Sequence, residues 1–188
     1  MPHPDAQRWN ARYLAERERW LEQSPRQLLV DYAHLLPKEG LALDAAAGVA
    51  SNGLYLAVHG LHVIALDISE YGLRLARARA RQRSLLLDTA VLDLAQLWLP
   101  PDHFDVILNF HFLERSTFDQ YRRALRPGGW LIFETFLRYD EAIENPEYFL
   151  KPGELCLAFK DFEIAHWREQ DLGKQMRVTA QLVAQKPG

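Results

Sequence analysis

The middle of the chain alternates short apolar runs with segments in which apolar residues recur at helical spacing. The apolar runs predict strands at residues 41–44, 62–67, within 85–94, 104–110 and 130–136, with a turn at 126–129 before the last of them. Helices are predicted after the first strand, from a cap at Ser69 to about residue 83, and near 117–125. Because the strands are apolar on both faces, they predict a parallel sheet with helices on each side.

The last third of the chain departs from this alternation. A short helix near 153–159 precedes two strand patterns, at 162–167 and 177–184, with only a brief polar link between them. A link of that length has no room for a crossover helix, so the two strands should pair antiparallel. The predicted fold class is α/β: a Rossmann-like, doubly wound and mostly parallel sheet that ends in an antiparallel hairpin.

Two helices are predicted before the first strand, at about 5–22 and 26–36. The first carries Trp9, Tyr13 and Trp20 among charged residues. Trp9 and Tyr13 are four positions apart and therefore share a face of the helix. These rings either pack on the sheet or cover a pocket, and packing is favoured because aromatic residues at helical spacing usually belong to a core.

Composition and charge narrow the class of protein. A chain of 188 residues that is 48% hydrophobic suits a single domain over 1–188, with an N-terminal helical segment at 1–37 and a core at 38–188. The net charge of −3 gives no reason to expect a nucleic acid or an anionic membrane as partner. Cys156 has no partner cysteine and the histidines are dispersed, so we expect no metal site.

No apolar run approaches the roughly 18 residues that a membrane span needs, and the first residues lack a signal core. We therefore expect a cytoplasmic protein. The sequence does not indicate its oligomeric state.

A turn of very small residues follows the first strand. Gly48 is the only glycine inside it, and Ala46 and Ala50 stand where a glycine-rich loop usually has two more. Small residues let backbone N–H groups approach a ligand at the positive end of the next helix, as in nucleotide-binding loops.

Three acids, Asp44, Asp67 and Asp93, fall at the ends of the first three strands. Ligands of open α/β sheets bind at the carboxyl ends of strands, where Asp67 is well placed to accept from a ribose diol. Asp93 is a candidate acceptor for an adenine amino group. Each acid also has a structural explanation as a helix cap or turn former, and both explanations stay open for Asp93.

Five segments resemble, in order, the successive motifs of class I S-adenosylmethionine-dependent methyltransferases. They are residues 43–52 (LDAAAGVASN), 63–69 (VIALDIS), 92–94 (LDL), 104–108 (FDVIL) and 125–132 (LRPGGWLI). The resemblance implies a seven-stranded sheet with the final strand inserted antiparallel, S-adenosyl-L-methionine as cofactor and a small-molecule methyl acceptor. Residues 145–155 (NPEYFLKPGEL) further resemble the tellurite-resistance and thiol-methyltransferase branch.

The matching motifs also imply which residues bind the cofactor. Asp44 and Gly48 are expected to line its methionine part, Asp67 its ribose and Asp93 its adenine, and the implied set is completed by Ala46, Asn52, Ile68, Leu94 and Asn109. The family usually has glycine at positions 46 and 50. If φ is positive there, alanine costs roughly 1–2 kcal/mol, so we expect weakened cofactor binding.

Methyl transfer from a sulfonium is an in-line displacement with a good leaving group, so positioning and desolvation achieve much of the catalysis. His111, after the fourth strand, is the candidate general base because imidazole titrates near neutrality, and a structural role is the alternative. Glu134 and Asp140 are also expected near the methyl group, although Glu134 is equally explained as a buried acid satisfied by backbone groups.

The acceptor pocket is expected to be small and largely apolar. Its predicted walls are Trp9, Tyr13, Phe112 and Tyr139, with His111 beside them and the first helix closing over the cofactor. Such a pocket favours a soft nucleophile such as a thiol or a metalloid.

Two other functions stay open. A small-residue turn with a downstream acid also serves nicotinamide-dependent oxidoreductases. Ala46 and Ala50 instead favour a non-catalytic binding protein with the same fold. A DNA amino-methylating enzyme is excluded, because its Asn-Pro-Pro-Tyr-like motif belongs directly after the fourth strand, where residues 109–112 differ from it.

Overall fold

The structure is a computed structural model that describes residues 3–137, 145–170 and 178–188. Within these residues the strands are β1 Leu41–Ala45, β2 His62–Asp67, β3 Leu87–Val91, β4 Phe104–Phe110, β5 Leu125–Phe136, β6 Glu163–Gln170 and β7 Thr179–Gln185. The α-helices are α1 Pro4–Ala15, α2 Arg17–Leu21, α3 Gln27–Tyr32, α4 Ser51–Val58, α5 Glu70–Gln82, α6 Ser116–Ala124 and α7 Glu154–Ala158. The strands form a seven-stranded sheet in the order β3-β2-β1-β4-β5-β7-β6, which confirms the predicted α/β class.

The chain divides into two compact units, Met1–Leu97 and Trp98–Gly188. In the N-terminal unit β2 pairs with β1 and with β3, and both pairs are parallel. Helix α5 buries Leu73, Ala76 and Ala80 and leaves arginines such as Arg74 exposed, so its arginine-rich face is solvated.

In the C-terminal unit β4 and β5 are parallel, whereas β7 pairs antiparallel with both β5 and β6. The last strand therefore lies between two earlier ones, which confirms the antiparallel hairpin and the inserted final strand. A cluster of aromatic rings forms the core under β5, in which Phe133 contacts Phe118, Tyr121 and Phe159 at centroid distances of 5.7, 6.3 and 6.5 Å.

Two predicted boundaries were wrong. The first helix is interrupted at Glu16, whose φ of −106° and ψ of 26° are not helical, so it consists of α1 and α2. The predicted turn at 126–129 belongs to β5, because the N–H of Gly128 and the carbonyl of Gly129 bond to the backbone of Lys186 at 2.9 Å. The register of β5 on β4 shifts over this stretch, and this irregularity accommodates the Pro-Gly-Gly sequence within the strand.

In the described part of the chain no helix combines the length and the apolar character of a membrane span. The single domain over residues 1–188 stays a prediction.

Candidate active site

The turn after β1 has positive φ angles at Ala46 and Ala50, which the sequence alone could not decide. Ala46, Gly48 and Ala50 all have positive φ, at 54°, 58° and 52°. Both alanines therefore lie in the left-handed region, where a side chain costs roughly 1–2 kcal/mol. The turn is held by the N–H of Ala47, which donates to the carbonyl of Leu66 at 2.9 Å.

Asp44 lies beneath this turn and is 1% exposed. Its Oδ2 accepts the N–H of Gly53 at 2.8 Å, so the carboxylate anchors the first turn of α4 to the end of β1. Burial raises the pKa of Asp44 from 3.8 to about 7; the Gly53 hydrogen bond opposes this rise, and the charge of Asp67 adds to it.

Asp67, at the end of β2, is bound on both oxygens by backbone groups. Oδ2 accepts the N–H of Gly48 at 2.8 Å and Oδ1 accepts the N–H of Ser69 at 2.7 Å, beside Ile68. The side chain of Ser69 caps α5 by accepting the N–H of Gly72 at 3.1 Å, as predicted. Burial raises the pKa of Asp67, against the lowering effect of these N–H donors.

Helix α1 lies directly on this turn. Tyr13 is 6% exposed, and a side chain at Gly48 would overlap its hydroxyl, while one at Gly72 would lie 3.1 Å from its ring. Asn10 Oδ1 accepts from Ser69 Oγ at 2.7 Å and from the N–H of Tyr71 at 2.9 Å. Tyr13 therefore packs on the turn and on the start of α5.

Two indole rings flank Tyr13. Trp9 stacks on it at a centroid distance of 5.6 Å and Trp20 meets it edge-on at 5.0 Å. Burial and, after it, the negative charge of Asp67 raise the pKa of the Tyr13 hydroxyl. The phenol therefore stays protonated in this position.

Three other predicted residues of the N-terminal unit have local structural roles. Asn52 Oδ1 accepts the N–H of Arg26 at 2.8 Å, which ties the start of α3 to α4. Asp93 caps the 3₁₀ turn Leu94–Gln96 by accepting the N–H of Ala95 at 3.0 Å, and Leu94 is buried at 4% exposure. The cap that the sequence offered as one explanation of Asp93 is therefore present.

In the C-terminal unit, Asn109 near the end of β4 is fully buried. Its Nδ2 donates to the carbonyl of Phe112 at 3.0 Å, whereas its Oδ1 has no hydrogen-bond partner among the described residues. A buried acceptor without a donor is costly, so this oxygen suits a ligand that brings an N–H or O–H group.

His111 follows β4 with a φ of 58°. Its N–H donates to the carbonyl of Glu134 at 2.7 Å, and its Nε2 lies 3.1 Å from Glu134 Oε1. The ring of Phe136 lies against the imidazole, with centroids 4.7 Å apart. The imidazole side chain is 27% exposed, so the ring is accessible.

Two side chains, those of His111 and Gln181, contact the carboxylate of Glu134. Besides its contact with His111, its Oε2 accepts from Gln181 Nε2 at 2.6 Å, and Gln181 Oε1 lies 3.3 Å from His166 Nε2. Sequence reasoning missed Gln181 and His166. The only signal for Gln181 was a polar residue within the apolar strand β7, and its role depends on the pairing of β7 with β5.

The segment 145–155 is tied to the start of α6 through Arg115. Its guanidinium donates to the carbonyls of Glu147 and Phe149 at 2.9 and 3.0 Å and to Glu154 Oε2 at 3.0 Å. Tyr139 and Asp140 lie outside the described residues. Within residues 3–137, 145–170 and 178–188, no group of three or more histidine, cysteine or acidic side chains is arranged to hold a metal ion.

The structure thus groups the predicted residues within each unit. Asp44, Gly48, Asp67 and Tyr13 meet at the turn after β1, whereas Asp93 and Asn52 are engaged elsewhere in the N-terminal unit. Asn109, His111 and Phe112 follow one another at the end of β4.

Comparison with known proteins gives one family and a common fold. The family described as "Methyltransferase domain" matches residues 43–133, and no curated protein sequence matches significantly. TehB from Haemophilus influenzae has a TM-score of 0.77 and 21% identity, over 91% of this chain and 65% of that chain. A SAM-dependent methyltransferase from Methanosarcina mazei has a TM-score of 0.67 and 20% identity, over 88% and 99%.

A third solved structure, phosphoethanolamine N-methyltransferase 2 of Haemonchus contortus in complex with S-adenosyl-L-methionine, has a TM-score of 0.71 and 16% identity, over 88% of this chain and 54% of that chain. With 65% of the TehB chain matched, this chain spans less than two thirds of the length of TehB. At these identities the similarity to solved structures establishes the fold.

Proposed function

We propose that this chain, whose residues 43–133 match the family described as "Methyltransferase domain", transfers the methyl group of S-adenosylmethionine to a small-molecule nucleophile. The observation that carries the proposal is Asp67. Its carboxylate is fixed by the N–H groups of Gly48 and Ser69, and both oxygens keep acceptor capacity. A ribose diol supplies two O–H donors for this carboxylate.

Helix α1 has to shift before a ribose reaches Asp67. Asp67 is 7% exposed, Tyr13 lies on Gly48, and Asn10 is bonded to Ser69. We assign α1 the role of a lid that opens for the cofactor and closes again over it. Closure excludes water from the reacting groups.

The residues proposed to hold the cofactor follow from the matched motifs and from local geometry. The buried Asn109 Oδ1, which lacks a donor within the described chain, fits an N–H group of the cofactor. When bound, S-adenosylmethionine supplies an electrophilic methyl group on a good leaving group, and the chain supplies positioning. The full proposed set is Asp44, Ala46, Gly48, Asn52, Asp67, Ile68, Asp93, Leu94 and Asn109.

His111 is the proposed general base, because its imidazole is partly exposed and held against Glu134. The acceptor is proposed to be a thiol, a metalloid or a similar soft nucleophile. The apolar ring of Phe136 against His111 and the resemblance of residues 145–155 to the tellurite-resistance and thiol-methylating branch support this class. Trp9, Tyr13, Phe112 and Tyr139 are the proposed walls of the acceptor pocket.

A non-catalytic binding protein is the second candidate. It is favoured by the strained turn, in which Ala46 and Ala50 have φ of 54° and 52°, and by the ring of Tyr13 on Gly48. Both features oppose cofactor binding, so the two candidates differ first in whether the cofactor binds.

Calorimetry with S-adenosylmethionine and S-adenosylhomocysteine tests the proposal, with a nicotinamide dinucleotide as a third ligand. We expect the adenosyl ligands to bind and the dinucleotide not to bind. Asp67→Ala removes charge-assisted hydrogen bonds worth about 1.5–3 kcal/mol each, so affinity should fall about tenfold or more. Asp88→Ala is the matched control, because Asp88 is an exposed acid of the neighbouring strand β3.

Two results contradict the proposal. Equal affinities of the wild type and the Asp67→Ala protein reject the ribose assignment. If neither the wild type nor the Ala46→Gly/Ala50→Gly double variant binds an adenosyl ligand, the enzyme is rejected and the non-catalytic protein is supported. Formation of S-adenosylhomocysteine in the presence of thiols or metalloid oxyanions, measured against a no-acceptor control, then tests the acceptor class.

A further inference from the structure

His111 is constrained through both its backbone and its ring by one residue, Glu134. The backbone bond of 2.7 Å joins the N–H of His111 to the carbonyl of Glu134, and the ring contact of 3.1 Å joins Nε2 to Oε1. The φ of 58° at His111 is a left-handed conformation that non-glycine residues adopt at a cost, and such residues occur often at functional sites. Glu134 therefore holds the imidazole through its ring as well as through the backbone of His111.

Glu134 is in turn positioned by Gln181. The two residues are directly opposite in the antiparallel pair of β5 and β7, so their side chains share a face of the sheet. Gln181 Nε2 lies 2.6 Å from Glu134 Oε2, and Gln181 Oε1 lies 3.3 Å from His166 Nε2. The same side of the sheet thus carries a row of polar groups that crosses β5, β7 and β6.

The chemistry of these groups fixes the direction of each hydrogen bond. An ionised carboxylate only accepts, and an amide donates through nitrogen and accepts through oxygen. Gln181 therefore donates to Oε2 of Glu134, which orients the carboxylate so that Oε1 accepts from the imidazole N–H at Nε2. His166 fixes the orientation of the amide by donating to Gln181 Oε1.

We infer that Gln181 is a positioning residue for His111: through Glu134 it keeps the proton of the neutral imidazole on Nε2 and leaves Nδ1 as the proton acceptor. The inference rests on the proposed function, in which His111 is the general base. Nδ1 accepts the proton that the methyl acceptor loses, and the resulting imidazolium is stabilised by the carboxylate of Glu134. Gln181 touches no reacting atom.

The test compares two variants of one strand, Gln181→Met and Gln185→Met. Methionine is unbranched and similar in length to glutamine, but it cannot donate to a carboxylate. Gln185 is the matched control, since it is half-buried on β7 like Gln181 and its Nε2 donates to the carbonyl of Gly128 at 2.8 Å, away from Glu134.

The primary measurement is the ¹⁵N spectrum of histidine-labelled protein at alkaline pH, without cofactor or acceptor. The His111→Gln protein identifies the His111 signals among those of the seven histidines. In the wild type and the Gln185→Met protein we expect the Nε2–H tautomer of His111. In the Gln181→Met protein we expect a mixture of both tautomers, and kcat about tenfold lower with KM nearly unchanged.

The inference is rejected if the wild type holds the proton on Nδ1, or if the two methionine variants have the same His111 signals. If Gln181→Met does not fold, Glu134→Gln is used in its place. The new amide has one oxygen and one NH₂ group, so it can accept from only one of the two donors, Gln181 and His111, and its NH₂ group faces the other. If the spectra are as expected but the protein binds no cofactor, the positioning role of Gln181 is supported and the proposed function is rejected. If the protein transfers methyl groups but the two methionine variants have identical His111 signals, the proposed function is supported and the positioning role is rejected.

Discussion

Asp67 of the N-terminal unit and Glu134 of the C-terminal unit are both buried, at 7% and 8% exposure, yet different groups satisfy them. Asp67 accepts from the backbone N–H groups of Gly48 and Ser69, whereas Glu134 accepts from the side chains of His111 and Gln181. The donor N–H of Gly48 belongs to the turn after β1, so a change at Asp67 also alters that turn. Side-chain donors can be replaced one at a time, so the surroundings of Glu134 can be dissected residue by residue.

The largest expected effect is on the pH dependence of stability, and it tests the burial of the Asp44 carboxyl group in the N-terminal unit. Burial holds the pKa of Asp44 at about 7 in the folded protein, against its ordinary value of 3.8. The folded state then binds the proton more tightly than the unfolded state, so this carboxyl stabilises the fold at low pH, and its contribution is lost as pH rises from about 4 to about 7. The loss amounts to about 4 kcal/mol at most in the free energy of unfolding.

Asp44→Asn should remove this contribution, because an amide keeps an acceptor for Gly53 and does not ionise. Urea unfolding at pH 4 and at pH 8 measures it: relative to the wild type, the Asp44→Asn protein should gain stability between the two pH values. Asp119→Asn, at an exposed position on α6, is the control and should show no such gain. If the stability of the Asp44→Asn protein depends on pH as that of the wild type does, the raised pKa of a buried Asp44 is contradicted.

The next effect concerns the lid that covers Asp67. Tyr13→Ala removes a buried ring and should weaken the docking of α1 by about 2–4 kcal/mol. Hydrogen exchange of residues 5–22 measures it: exchange should accelerate in this variant, and it should slow in the wild type when S-adenosylhomocysteine is bound. Trp9→Ala should have a smaller effect, since Trp9 is only half-buried.

Unchanged exchange in Tyr13→Ala contradicts the docking of α1 through this ring. Ligand protection confined to the strand ends, with none in residues 5–22, rejects the lid and leaves Tyr13 as a packing residue.

The smallest effect separates the two strained alanines of the turn. Ala46 is half-buried, so Ala46→Gly should relieve the cost of positive φ and raise the free energy of unfolding by about 0.5–1 kcal/mol. Ala50 is fully buried, and the loss of its methyl group, at about 0.8 kcal/mol, should cancel the gain in Ala50→Gly. Ala47→Gly, outside the positive-φ positions, should lose about 0.5–1 kcal/mol.

Equal changes in the three glycine variants, measured by urea unfolding, contradict strain at positions 46 and 50. The same alanine variants connect stability with function, because relief of strain at Ala46 should also tighten the binding of S-adenosylhomocysteine.

Sequence patterns predicted β1 and β4 well because each of these two strands is an apolar run that is buried on both faces. They failed at the start of β5, since Pro127, Gly128 and Gly129 have the composition of a turn, and only the pairing with Lys186 extends the strand through them. The sign of φ at Ala46 and Ala50 was not predictable either, because it depends on how the turn folds back onto Leu66.

Some residues of the candidate site were predictable from local sequence patterns, and others were not because their contacts depend on how distant strands pair. The positions of Asp44 and Asp67 follow from the ends of strands, which the local pattern reveals. The contact of Glu134 with Gln181 joins residues 47 positions apart and depends on the register of β5 and β7, which no local pattern encodes.

The arrangement of Trp9, Tyr13 and Trp20 gives the protein an intrinsic optical probe. The rings lie at fixed centroid distances of 5.6 and 5.0 Å, and the guanidinium of Arg12 lies over both indoles at 5.2 and 5.4 Å. Aromatic chromophores held this close in a fixed chiral arrangement couple electronically and produce near-ultraviolet circular dichroism. Movement of α1 away from the turn separates these chromophores from their surroundings, so the sign and intensity of that band follow the helix without an attached label.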